Sequence, residues 1–247
     1  MFLKLRPLFA TIIFFSCLEI IARSRDNFFL VVAAFLLLVS FIAGRKVGQK
    51  WKFSILPVFF TLSALAQLYL IGLDYERHVF ILLASAIYYL CLLGAMRLGA
   101  YEKDQTARGM NMAASAATIF LAYSGAYGLY LNFLVPLYIL MLFYLGITLL
   151  VSYQHLSLIK PDDLAIAWIY SFVLALAMAE LIWTMNFWPF GYLTTGVIAL
   201  ILYYVLWDVI QSHFLGILSK KRVVANMVFF SVLIAFVLVT SKWIPVI

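Results

Sequence analysis

Residues 163–185 read DLAIAWIYSFVLALAMAELIWTM. Beyond Asp163 the stretch holds a single charged residue, Glu180, and neither proline nor glycine. At 1.5 Å of rise per residue, its 22 apolar-rich residues make a helix about 33 Å long, enough to cross a hydrocarbon layer of about 30 Å. A water-soluble helix of that length would carry a charged face, and this one does not. The stretch therefore reads as a membrane span.

Working outward, eight further apolar runs are bounded by charge or by Pro, Gly or Asn. With the first, they cover roughly 7–22, 27–44, 53–73, 79–98, 110–131, 133–153, 163–185, 191–213 and 223–243. The first run is the shortest, and only a turn around Asn132 separates the fifth from the sixth. The predicted fold is all-α: a polytopic integral membrane helix bundle of about nine spans, forming one transmembrane domain over 1–247. The composition agrees, with 67% of the 247 residues hydrophobic and 11% charged. Soluble domains average about 45–50% and about 25%. A soluble globular enzyme, a disordered chain and a DNA-binding domain with a solvated basic face are all excluded, and no nucleic-acid partner is expected.

The net charge of +7 is better explained by orientation. With the N-terminus in the cytoplasm, the inner loops hold Lys4, Arg6, Arg45, Lys46, Lys50, Lys52, Arg97, Lys103, Arg108, Lys160, Lys220, Lys221 and Arg222. The outer side keeps Arg23, Arg25, Arg77 and Lys242. Thirteen against four predicts a multi-pass protein of the cell membrane, N-terminus inside and C-terminus outside. Its expected partners are the bilayer, anionic lipid headgroups at the cytoplasmic face, and a membrane-protein partner or a second copy of the chain. A competing reading of the N-terminus is a secretory leader, with Ala22-Arg23-Ser24 resembling a cleavage site. Glu19 suits the apolar core of such a leader poorly, so a retained first helix is expected.

The sequence also echoes itself. Ala64-Leu65-Ala66-Gln67-Leu68 matches Ala177-Met178-Ala179-Glu180-Leu181, Tyr88-Tyr89 matches Tyr203-Tyr204, and Asn111-Met112 matches Asn226-Met227, at offsets of 113, 115 and 115. Asn27-Phe28 before helix 2 matches Asn132-Phe133 before helix 6. Two readings stand. One is a tandem four-helix repeat plus a final helix, its copies sharing orientation because four is even. The other is coincidence in an alphabet dominated by Ala, Leu, Tyr and Met.

Charged residues inside spans are costly, so they are the first site candidates. Glu19 has Arg23 at i+4, the spacing of a local ion pair. Asp208 lies near the inner end of helix 8 and reads as an interfacial tip. Glu180 has no basic residue within two turns, and its repeat counterpart is Gln67. It is expected to face the interior near Gln67, beneath the aromatic tract Trp183–Tyr192 that includes Asn186. Glu180, Gln67, Glu19 and Asn186 thus form the predicted ligand or proton site. No catalytic residue, metal site or cofactor is predicted. HExxH, GxSxG and P-loop patterns are absent, the three histidines sit at span ends on different faces, and Cys17 and Cys91 read as buried thiols. Asp162-Asp163 reads as the cap and first turn of helix 7. Helix 5 pairs small residues at i, i+4 (Ala113/Ala117, Ala122/Ala126, Ser124/Gly128) and is expected to be closely packed.

Three function classes remain. A membrane scaffold or partner subunit ranks first, and the chain is not expected to be an enzyme. A proton- or cation-coupled carrier around Glu180 and Gln67 is the alternative. A lipid-modifying enzyme ranks last, because no catalytic pair shares one depth.

Overall fold

The computed structural model describes residues 5–23, 29–133, 135–160 and 163–241, except for the Arg222 side chain. Asn27-Phe28, Pro161, Asp162, Ser24 and the basic residues Lys4, Arg25 and Lys242 lie outside the described residues.

Among the described residues the chain is a run of nine α-helices with no strand. They are α1 (Arg6–Arg23), α2 (Phe29–Gly48), α3 (Ile55–Leu70), α4 (Asp74–Ala100), α5 (Gln105–Phe133), α6 (Leu137–Ile159), α7 (Leu164–Met185), α8 (Tyr192–Phe214) and α9 (Lys220–Thr240). A short 3₁₀ turn, Trp51–Ser54, leads into α3. Eight of the helices are long and apolar enough to cross a membrane; α1 carries Arg6, Glu19 and Arg23 in its 18 residues and is not one of them. The all-α membrane bundle read from the apolar runs is the fold observed. Several helices outrun those runs. α4 begins five residues before its apolar stretch, because Asp74 and Glu76 fall in its first turn, where carboxylates favour the helix dipole. Asp163 occupies the N-cap position of α7, yet its side chain makes no capping bond.

The chain divides into two compact units, Met1–Ala122 and Tyr123–Ile247. In the first, Phe14 of α1, Leu36 of α2, Phe60 of α3 and Tyr88 of α4 meet in one apolar core. The rings of Phe14 and Tyr88 stack 4.2 Å apart at 8°. α1 is therefore integral to this core. Hydroxyls cross the same core in a chain. Tyr88 donates to Ser40 (3.0 Å), Ser40 lies 2.7 Å from Thr61, and Thr61 donates to the Pro57 carbonyl (2.8 Å). A hydroxyl has one proton, so Ser40 must donate to Thr61, and every member is satisfied.

The second unit repeats the device with other residues. The Tyr123 and Tyr144 rings stack 4.1 Å apart at 5°. Tyr144 donates to the Tyr123 carbonyl (2.8 Å), Tyr123 reaches the Thr148 hydroxyl, and Thr148 donates back to the Tyr144 carbonyl. Tyr203 of α8 pairs with Ser152 of α6 at 3.1 Å. Small residues let helices close in. A Cβ on Gly196 of α8 would lie 2.6 Å from the Ser124 side chain of α5, and one on Gly94 of α4 would lie 3.3 Å from the Ala107 carbonyl of α5. The expected close packing of α5 is found: its apolar window is 61% buried, against 0% for that of α9.

Candidate functional site

α1 ends in an exposed polar turn, and α4 begins in one. Glu19, three-quarters of the way along α1, turns its carboxylate to His78 in the second turn of α4, with Oε1 3.0 Å from Nδ1. The Glu19 side chain is one-fifth exposed and that of His78 half exposed. The partner along its own helix that the i+4 spacing suggests, Arg23, is replaced by one across helices, because α1 and α4 pack side by side. Arg77, one residue earlier, is buried. Its Nε donates to the Ile71 carbonyl (2.7 Å), its Nη2 to the Gly72 carbonyl (3.2 Å) and its Nη1 to Asp74 (2.9 Å). It thereby holds carbonyls at the C-terminal end of α3, where a cation is favoured.

These side chains line a divided groove. One part, about 450 Å³, is formed by Phe15, Ser16, Glu19, Ile20, Arg23 and His78. The other, about 390 Å³, is formed by Ala22, Arg23, Asp74, Arg77 and His78. Arg23 and His78 belong to both.

At the far end of α4 a second polar cluster joins two loops. Lys50 pairs with Glu102, and Arg97 donates from Nε to Asp104 (2.8 Å). Asp104 also accepts from the Ala107 amide (3.1 Å), capping α5. That backbone bond, together with Arg97, holds its carboxyl below the usual range, and the bond from Lys50 does the same for Glu102.

The other predicted site residues fall in different units of the chain. Gln67 is buried on α3 in the first unit. Glu180 lies on the exposed face of α7 in the second, so within its own unit it does not face the interior as expected. The cause is helical phase: Met178, Ala179 and Ile182 take the buried face and turn Glu180 outward. Asn186 is the C-cap of α7, its amide bonded to the Ile182 carbonyl (3.0 Å). Of the aromatic tract, Trp183 is exposed on the last turn of α7, and in the short turn that follows Phe187 is exposed and Phe190 buried. Asp208 accepts from Asn226 of α9 at 2.6 Å. Cys17 and Cys91 are buried free thiols. Among the described residues no three His, Cys, Asp or Glu side chains gather at metal-binding range. His78 was the partner that sequence reasoning passed over. The available signal was that the nine-span topology expected from the sequence puts the end of α1, with Glu19, and the start of α4, with His78, on one side.

A family profile described as a protein of unknown function, DUF5656, matches residues 40–240. The chain belongs to that family. No curated protein and no solved structure matches it. The DUF5656 match takes in Asp74, Arg77 and His78 but begins after α1, so the α1 side of the groove lies outside it.

Proposed function

We propose that this multi-pass DUF5656 protein is a membrane scaffold or partner subunit, acting through the surfaces of its helices. The observation that carries this reading is what two sets of its interior hydroxyls do. Tyr88, Ser40 and Thr61 in one unit, and Tyr123, Thr148, Ser152 and Tyr203 in the other, are bound to each other or to backbone carbonyls. Groups occupied in tying helices together are not available to solvate a passing solute. The last helix supports the same reading. α9 has no buried residue in its apolar window and offers Val228, Val232, Phe236 and Val239 along its length. It is fastened to α8 through Asn226 and Asp208 and by the Tyr204 and Phe230 rings at 5.4 Å. A carrier built on Glu180 and Gln67 has no comparable support, since Glu180 faces out of its own unit.

A photoreactive side chain placed at Phe236 tests the proposal in native membranes. We expect a discrete protein adduct that is lost when Val228, Val232 and Val239 are changed to Ala, with membrane levels unchanged. Adducts with lipid alone would overturn the reading. So would purified chain in vesicles that conducts protons or cations and stops doing so in Glu180→Gln.

A further inference from the structure

The groove between α1 and α4 has a chemistry of its own, and it does not depend on the scaffold reading. Along α1 its lining changes from apolar to basic: Phe15 and Ile20 are exposed to their surroundings, and Arg23 stands at the helix end. Eight residues separate Phe15 from Arg23, about 12 Å along a helix. That is the scale on which a bilayer passes from upper acyl chain to headgroup. The charges in the groove are unequal in availability. Glu19 is engaged by His78 and Asp74 by Arg77, whose guanidinium is also held by two carbonyls. Arg23 makes no hydrogen bond or ion pair among the described residues, yet it lines both parts of the groove. With Nδ1 of His78 turned to Glu19, Nε2 is the ring atom left to face a ligand.

We propose that this groove is a phospholipid site, with the headgroup phosphate held by Arg23 and His78 and the upper acyl chain lying along Phe15 and Ile20. An arginine recognises phosphate by two parallel N–H···O bonds, stronger than bonds between neutral groups. A free anion would use the basic rim and leave the apolar wall without a partner. A lipid uses both, because its phosphate and upper acyl chain are offset along its length as Arg23 and Phe15 are along α1.

Full-length chain in a non-ionic detergent, titrated with dioctanoyl phosphatidylglycerol and followed by native mass spectrometry, tests the site. We expect saturable binding, with dioctanoylglycerol and glycerol phosphate each binding at least about tenfold more weakly, as loss of one charged contact or of the apolar part would cause. Arg23→Gln and His78→Gln should each weaken the lipid about tenfold, on the same physical grounds. Lys46→Gln, at the other end of the unit, should leave binding unchanged. Three results would overturn the proposal: an equal loss in Lys46→Gln, unchanged binding in Arg23→Gln, or glycerol phosphate binding as tightly as the lipid. The last would mean a free-anion site, and the first a general attraction of charge.

Discussion

Ser40 sits in the middle of a three-hydroxyl chain, and its position sets what each neighbour is worth. Tyr88→Phe removes a donor from Ser40, which still donates to Thr61, so no buried polar atom loses its only partner. We expect a cost of about 1 kcal/mol or less, read from the midpoint of detergent denaturation. Ser40→Ala strands the Tyr88 hydroxyl and takes a donor from Thr61, and should cost more, about 1–3 kcal/mol. Equal costs would show that the chain does not hold the core. Glu102 offers a test outside the spans. Its carboxyl is held low, chiefly by the bond from Lys50, so its contribution to stability is present above its unfolded value near 4.5 and is lost as pH falls through the lower folded value. Denaturation midpoints followed below pH 4.5 should show this acid loss, and Lys50→Gln should remove that part of it. Residue chemistry was only partly legible in the sequence. Glu19 could be singled out because an acid in an apolar run is costly, but its partner could not. Both i+4 pairing and pairing across helices satisfy that cost, and the choice rests on which helix packs against α1.

At the scale of elements, apolar runs located all nine helices, while charge misled about their ends. A backbone leaving lipid keeps its hydrogen bonds by staying helical, so α4 and α5 continue through flanking polar residues to 27 and 29 residues. Close approaches were legible only as small residues without partners. The structure supplies the partners: Gly99 of α4 meets Gly48 at the end of α2, where an added Cβ would lie 2.6 Å from the Gly48 carbonyl oxygen. Gly44 of α2 is equally tight, with a Cβ falling 2.7 Å from the Phe53 carbonyl oxygen. Backbone cannot yield as a flexible side chain can. We expect Gly99→Ala and Gly44→Ala each to cost about 1–3 kcal/mol in the same denaturation assay. Gly146 of α6 is the control, since an added Cβ there meets nothing within 4 Å, and Gly146→Ala should be neutral or mildly stabilising. If the three behave alike, helix propensity rather than close approach governs these positions. The approach of Gly99 to Gly48 also brings together the loops that carry Lys50 and Glu102.

For the whole chain, the internal echoes can now be weighed by contacts as well as letters. Tyr88 of α4 bonds Ser40 of α2, and its sequence counterpart Tyr203 of α8 bonds Ser152 of α6. Lys50 after α2 reaches Glu102 after α4, and Lys160 after α6 donates to the carbonyl of Phe214 at the end of α8 (2.9 Å). Of the echoed residues, the two tyrosines make like bonds between corresponding helices, which coincidence of common letters does not require. These contacts favour a tandem repeat of α1–α4 in α5–α8, with α9 added. Not every echo survives: Gln67 is buried, whereas Glu180 is exposed, so that pair matches in sequence and not in setting. A parallel repeat makes a topological demand, because four helices separate each residue from its counterpart. Lys50 and Lys160 must emerge on one side of the membrane, the side the basic bias assigns to the cytoplasm, and Asp74 and Phe187 on the other. Single cysteines at these four positions, in a chain whose buried Cys17 and Cys91 are replaced by Ala, should react with a membrane-impermeant thiol reagent in two pairs. Only Asp74→Cys and Phe187→Cys should be labelled in intact cells, and only Lys50→Cys and Lys160→Cys should need permeabilised ones. Which positions pair does not depend on whether α1 spans, since α1 lies before all four positions. Lys50 and Lys160 on opposite sides would mean an odd number of crossings between them, and no parallel repeat is compatible with that.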